Sequence, residues 1–542
     1  MIILHGLLQQ RQEVVKELFD INGRQQPRFS INTDLSPYDM APAYFSAGNN
    51  VRFLDGKAGK ILGHIQVLGA PGSSNNPYWA VSWLQGTTDL WIYGTATGLR
   101  KITGTTHADV TRSSGAYTTI ASTTNNWQGG ILGGVLVCCN GIDAPQSFTQ
   151  GGSVFTDLAQ WPATLKCKTI VPFRNHLIAL NLTDSASGSA VKQPFTLRWS
   201  DAIPAGADNN GSNTWVTSAA ASEAADTSLT GTKGHILNAM QLGNLLMVYK
   251  EDSVYSLNYV GGSFTFNIRE VFKDTGLFSR DAIVDLGNGQ HVMVTTNDVV
   301  IHNGNSIKSV IDDQMKTFLF SSIDSTNFHK TFLVHNKIKN EVWICFPSVG
   351  ATGGYPDTAL IWNYIENTWA TRDLPSTNYI AKGLVDPDLT NTWAAQTGEW
   401  QGNTLNWGQL AYNPTIDSLL MCGTNDNKFF LADSGSTFDG TNFTTTLERK
   451  GLNAGRTDLV SQITKVFPRL EGTGTVSISV GAELAPNMGV TYNDPVTFTI
   501  GTDNKVDCRI KGRYAAIKIE TDTATQFRLS GYSIETEAVS DR

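Results

Sequence analysis

Between about residues 27 and 435 the chain is written almost entirely in short apolar runs separated by Gly-, Asn- and Asp-containing turns, a texture that admits few folds. Trp79-Ala-Val-Ser-Trp83, Leu90-Trp-Ile-Tyr93, Asn244-Leu-Leu-Met-Val-Tyr249, His291-Val-Met-Val294 and Glu341-Val-Trp-Ile-Cys-Phe346 are typical. Runs this short and this rich in β-branched and aromatic residues read as antiparallel strands. The unit "apolar strand, polar turn, apolar strand, Gly or Asn turn" recurs at 79–100, 131–141, 242–262, 282–304 and 332–369, and less clearly at 419–434. Degenerate repetition of this kind predicts a β-propeller of roughly five to seven blades. A Ser/Ala/Gly/Asn-rich loop insertion is expected near 183–234.

The two ends have other textures. Val476-Ser-Ile-Ser-Val480, Val496-Thr-Phe-Thr-Ile500 and Val506-Asp-Cys-Arg-Ile510 alternate almost cleanly. That is the period-two pattern of strands buried on one face, and it predicts an antiparallel β-sandwich or jelly-roll module. At the other end Leu7, Leu8, Val14, Val15, Leu18 and Phe19 have helix-compatible spacing. They predict a short amphipathic helical arm. The expected organisation is all-β: an N-terminal arm over 1–26, a β-propeller over 27–438 and an appended sandwich over 439–542.

Composition narrows the function. A net charge of −8 opposes a protein that grips nucleic acid, which needs clustered Lys and Arg. It is compatible with a channel, whose acidic wall would repel phosphates and keep a passing polymer from sticking, but net charge does not say which residues face a lumen. Most of the six Cys sit in apolar strand-like runs, without a Cys-x-x-Cys, and read as reduced, buried small hydrophobes. No apolar run reaches the ~18 residues of a membrane span, and Met1-Ile-Ile-Leu lacks the basic start of a secretory signal.

Nothing singles out a catalytic, metal or cofactor site. The nine His do not form a zinc spacing, and His291 and His302 lie on predicted strands in a structural or exposed role. No G-x-S-x-G elbow or phosphate-cradling P-loop occurs. Asp208-Asn-Asn-Gly-Ser-Asn-Thr-Trp215 fits neither a calcium loop nor a sialidase box and reads as a turn leading to an anchored Trp. Trp393, Trp400 and Trp407 recur every seven residues and could form a sugar platform or a packing surface. A glycan-binding or glycan-hydrolysing propeller, such as a tail depolymerase, is therefore the alternative to a purely structural chain. A generic interaction propeller is the third reading.

One segment carries local and global information together. Asn49-Asn-Val-Arg-Phe-Leu-Asp-Gly56 and the run from Lys57 to Gly63 read as a β-hairpin, because Asp55-Gly56 suits a two-residue turn with positive φ. With Met40-Ala-Pro before it, this segment resembles the tail nozzle ("stabilisation") proteins of short-tailed bacteriophages. Four further blocks resemble the same family in the same order. They are Leu197-Arg-Trp-Ser-Asp201 with Trp215; Leu245 through Gly262 with Phe264-Thr-Phe266 and Gly276; Leu360-Ile-Trp-Asn-Tyr-Ile-Glu-Asn-Thr-Trp369; and Phe467-Pro-Arg-Leu-Glu-Gly472 with Lys511-Gly-Arg-Tyr514 and Phe527-Arg-Leu529. The residues that carry it as structural signature positions are Asn50, Arg52, Phe53, Asp55, Gly56, Trp199, Tyr255, Gly261, Gly262, Trp362, Trp369, Gly512 and Arg513.

The resemblance implies a structural virion protein without enzymatic activity or cofactor, assembled in the bacterial cytoplasm and located in the tail. It implies a six-fold ring of this chain, bound below the portal and its adaptor protein. Tail fibres or spikes and the host envelope are further contacts such a protein could make. Viral DNA would pass through the lumen without sequence-specific binding. The first 26 residues depart from the family pattern, and the hairpin is expected to open the first blade.

Overall fold

The computed structural model describes residues 16–24, 27–85, 88–121, 123–203, 214–217, 222–262, 264–385, 418–453 and 459–540. Among the described residues seven four-stranded antiparallel sheets follow one another: 79–109, 128–157, 165–228, 236–273, 283–309, 332–373, and 377–432 completed by His64–Val67. They are the blades of a propeller, numbered 1 to 7 in this order. First strands of neighbouring blades lie together, as Thr377–Gly383 does on Trp79–Gln85 and Ile283–Asp285 on Phe332–Asn336, so these strands are innermost.

Second strands read as unbroken apolar runs for the same reason. Val135–Cys139 and Glu341–Phe346 are buried at every position, because adjacent blades cover both faces. Trp83 meets Phe148 between blades 1 and 2, and Tyr93 meets Phe429 between blades 1 and 7. The ring closes when His64–Val67 pairs with Lys428–Ala432 as the outer strand of blade 7, in the register Phe429↔Val67 and Ala432↔His64.

The appended module is a sandwich of two six-stranded sheets. One runs Val506–Gly512, Val460–Gly472, Phe527–Ser540, Lys57–Lys60, Val51–Leu54, with Lys16–Asn22 also on the Phe527–Ser540 strand. The other runs Thr491–Tyr492, Thr475–Glu483, Tyr514–Thr521, Thr445–Asn453, Ala47–Asn49, with Val496–Thr499 also on Thr475–Glu483. Their strands alternate as expected: Thr445–Asn453 buries Thr445, Leu447 and Arg449 on one face, and a bulge before Leu452 returns that residue to the same face.

Three expectations change here. The 51–60 hairpin does not open the first blade, and the propeller does not begin at 27: the hairpin pairs through Gly59 and Ala58 with Arg528 and Leu529, inside the sandwich. Its inward residues Val51, Phe53 and Ala58 share a core with Phe29, Phe45, Phe527 and Leu529, and a hairpin's own sequence does not say which sheet its free edge will join.

The arm is not helical where it is described. Lys16–Asn22 is a strand in the register Phe19↔Ile534 and Ile21↔Tyr532, turning Ile21 inward and satisfying the edge of the C-terminal strand. Residues 1–15 lie outside the described residues.

The insertion at 183–234 is also narrower than expected, because Val191–Trp199 and Ala225–Ser228 are the third and fourth strands of blade 3. Ala225–Ser228 is a partly exposed polar edge, so it carries no apolar signal.

Candidate functional site: the charged junction at the hairpin

The hairpin joins the two units. Asp55 and Gly56 both have positive φ, 55° and 70°, giving the primed turn that Asp-Gly favours. Within Val51–Leu54, alternation sends Val51 and Phe53 into the sandwich and Arg52 towards the propeller. Asn50 precedes this strand in the left-handed region (φ 56°), which Asn tolerates better than most residues. Its amide donates to Asp373 Oδ2 (2.7 Å) and the Thr444 carbonyl (2.8 Å), and its Oδ1 accepts from the Asp373 N–H (2.9 Å). The backbone N–H of Asn50 donates to the Thr371 carbonyl, so the hairpin is stitched to the outer strand of blade 6.

Arg52 is held by two carboxylates from two blades. Its Nε and Nη2 donate to Glu341 at 2.6 and 3.0 Å, and Nη2 also reaches Asp433 Oδ2 at 2.7 Å. On the far side Arg372 Nη1 donates to Asp433 Oδ1 (2.8 Å), and its guanidinium lies 4.8 Å from the centre of the Trp343 ring. Trp343 Nε1 donates to Glu341 Oε2 at 2.9 Å. The result is an alternating buried cluster, Glu341–Arg52–Asp433–Arg372, with Arg372 fully buried and Glu341 nearly so.

Burial opposes charge on Arg52, but Asp433 and Glu341 outweigh it and raise its pKa. Burial likewise opposes charge on Asp433, and the two guanidiniums hold its carboxyl below the usual range. Arg372 goes the other way: desolvation lowers it despite Asp433, with Arg52 adding repulsion. As a guanidinium it nevertheless remains charged.

Beside this cluster opens a cavity of about 970 Å³, lined by both hairpin strands and by 471–472 and 526–528. Among the described residues seven cations border it, Arg24, Arg28, Arg52, Lys57, Lys60, Lys339 and Arg528, against two carboxylates, Asp55 and Glu471. Lys57 pairs with Glu471 (2.6 Å), and Arg28 with Glu366 (2.8 Å). Lys60 is buried, donates to the carbonyls of Thr523 and Phe443, and lies 3.9 Å from the Phe443 ring centre. Desolvation lowers its pKa, with Asp522 opposing.

The other signature residues fall apart into separate places. Trp362 and Trp369 are directly paired across blade 6 with rings stacked at 5.9 Å, and the Trp369 N–H donates to Ser30 Oγ, so they belong to the same junction. Trp199 in blade 3 donates to the Glu223 carbonyl and packs on Phe266 of blade 4. Tyr255 bonds Glu270 within blade 4, and Gly261 and Gly262 have positive φ after its third strand. Gly512 sits where a Cβ would meet Ala482 at 2.6 Å, and the Arg513 N–H donates to the Glu483 carbonyl, both in the sandwich. Glu341, Arg372 and Asp433 escaped the sequence reading. A charge within a strand otherwise wholly buried, as at Glu341, is the signal that could have found them.

His291 and His302 are buried, not exposed. Tyr249 bridges them: the His302 Nε2–H donates to the Tyr249 oxygen (3.0 Å), whose hydroxyl donates to His291 Nδ1 (2.7 Å). The His291 Nε2–H ends the chain on the Gln241 carbonyl (3.0 Å), and His302 Nδ1 accepts from the Gly304 N–H. In this direction every group of the chain is satisfied with both rings neutral. Burial lowers both pKa values, His302 to about 4, with His291 adding to its shift.

Trp215 is buried against Trp161 at 4.7 Å, as an anchored Trp should be. Trp393, Trp400 and Trp407 lie outside the described residues. Among the described residues no group of His, Cys, Asp and Glu is arranged to hold a metal, and no helix is long and apolar enough to cross a membrane.

No protein-family model matches the chain, and no curated protein does. Among solved structures it is similar to YCF48 bound to D1 peptide, at 10% identity and a TM-score of 0.36, covering 70% of this chain and 97% of that one. It is also similar to the computationally designed Ika8 protein, at 9% identity and a TM-score of 0.35, covering 68% of this chain and 99% of that one.

Proposed function

We propose that this chain is a structural protein of a virion tail, the nozzle ring of a short-tailed bacteriophage through which the genome leaves the capsid. The observation that carries the reading is the ordered series of five sequence blocks between residues 40 and 529. The construction of the junction is in keeping with it. A ring closed by the early strand His64–Val67 and bolted to a sandwich by buried charges is suited to bearing load, and the work is mechanical, with no bond made or broken.

On this reading copies join head-to-tail into a closed six-fold ring below the portal and adaptor, and DNA passes without sequence-specific binding. Light scattering and electron microscopy of the purified chain test it. The expected result is a six-fold ring with six times the 58.8 kDa chain mass, alone or when the adaptor is added. A monomer under both conditions that retains or cleaves capsular polysaccharide would replace the reading with the glycan-acting propeller.

A further inference from the structure

The cavity beside the hairpin has a charge balance opposite to that of the chain around it. Counting the wall and the groups directly behind it, the seven lining cations and Arg372 face Asp55, Glu341, Glu366, Asp433, Glu471 and Asp522. Eight positive groups thus meet six negative ones, in a chain whose net charge is −8. The surplus is localised. Arg52, Arg28 and Lys57 pair directly with carboxylates, whereas among the described residues Arg24, Lys339 and Arg528 form no ion pair within 4 Å, and Arg24 and Arg528 share the field of Glu471 with Lys57.

The backbone is shaped to hold these side chains over the opening. A Cβ at Gly56 would lie 3.0 Å from Arg24 Cγ and 2.8 Å from the Gly23 carbonyl. One at Gly59 would lie 3.3 Å from Arg528 Cγ and 2.9 Å from the Phe527 carbonyl. Glycine at both places lets the stems of the two arginines come close to the hairpin backbone, one from each flanking segment. Lys339 comes from the first turn of blade 6, and buried Lys60 adds a fourth cation matched chiefly by carbonyls.

We propose that this cleft is a binding site for a phosphate-bearing ligand, seated among Arg24, Lys339 and Arg528 with Lys60 beside them. A guanidinium presents its N–H donors as a fork that fits phosphate oxygens, and a lysine ammonium adds a point charge. The local surplus of two charges matches a phosphate dianion, and about 970 Å³ accommodates a ligand with more than one phosphate group. The phosphate can be free or part of an ester chain, and the chemistry at the cleft is the same for both. The inference is independent of the tail-nozzle reading and does not require a ring.

Isothermal titration of the full chain at a series of salt concentrations tests it, with inorganic phosphate, tripolyphosphate and a short single-stranded oligonucleotide as separate probes, compared at equal ionic strength with polyglutamate as the non-phosphate anion. At least one phosphate probe should bind. Each of Arg24→Gln, Lys339→Gln and Arg528→Gln should weaken it severalfold, and the triple variant by about a hundredfold or more. The slope of log affinity against log salt should shrink with each substitution. Saturation by inorganic phosphate alone identifies a free-phosphate seat, and preference for tripolyphosphate or the oligonucleotide identifies a phosphate chain. These side chains border solvent, so circular dichroism and the melting temperature should stay at wild-type values and report that the variants fold. Three results overturn the proposal: no binding by wild type, a triple variant that binds as wild type does, or polyglutamate binding as tightly as the best phosphate probe. The last would make the cleft a seat for an acidic protein segment.

Discussion

Removing the Arg52 side chain is the sharpest test of how the propeller and the sandwich are joined. In Arg52→Ala, Glu341 loses two charge-assisted hydrogen bonds and keeps Trp343, while Asp433 loses one and keeps Arg372 and Asn336. Glu341 is 1% exposed, so water can replace the guanidinium only through the cleft that Arg52 also lines, which sets the loss towards the lower end of the range for a broken buried pair. Hydrogen bonds to charged groups are worth about 1.5–3 kcal/mol each, but part of this returns because the arginine no longer has to be desolvated. Breaking one partner out of a buried ion pair destabilises by about 3–5 kcal/mol, which sets the expected loss.

For a unit of the sandwich's size that is a fall in melting temperature on the order of 10 °C. Differential scanning calorimetry should show it in the transition that includes the sandwich, since the hairpin belongs to that sheet. Adding Glu341→Gln to Arg52→Ala should recover about half the loss, because the amide removes the stranded charge. An Arg52→Ala melt within about 2 °C of wild type, or a double variant worse than the sum of the singles, would refute the reasoning.

Acid should loosen the seam between blades 4 and 5. His302 titrates near 4 in the fold and His291 is also lowered, with Tyr249 and Asp285 as their neighbouring titratable groups. Because the folded values lie below the ordinary 6.5, the unfolded chain takes up these protons first. Stability is therefore complete above pH 6.5 and declines as pH falls towards 4, by about 3 kcal/mol for His302 alone. Urea midpoints measured from pH 7.5 to 3.5 should follow this, His302→Gln should flatten the profile, and an equal slope in that variant would reject the assignment. Gly56→Val should destabilise by about 1–3 kcal/mol, since the residue sits at φ 70° and a Cβ would press on the Gly23 carbonyl at 2.8 Å. An unchanged denaturation midpoint would argue against the primed turn.

What could be read along the chain was what neighbours in sequence decide. Asp55-Gly56 announces its turn because φ > 0 is a property of those two residues. Trp362 and Trp369 announce a blade edge because the four-residue turn at 364–367 already brings them into register. The continuous apolar runs of the blades and the alternating runs of the sandwich separated the two units in texture, since one kind of strand is covered on both faces and the other on one. The seven-blade count was not legible, because the last blade borrows His64–Val67 from the start of the chain.

The charged site was half visible. Arg52 stood out within the hairpin, but Glu341 and Asp433 lie 289 and 381 residues away, and their bonds to it exist only once blades 6 and 7 have formed. The strand Lys16–Asn22 likewise takes its conformation from an edge at the far end of the chain. By itself the sequence determined the turns, the strand textures and the apolar faces, which follow from local dihedral preference and burial period. Tertiary structure alone decided that the opening hairpin is part of the sandwich and the clamp on blade 6, because edge pairing and the neutralisation of buried charge depend on partners that only folding brings together.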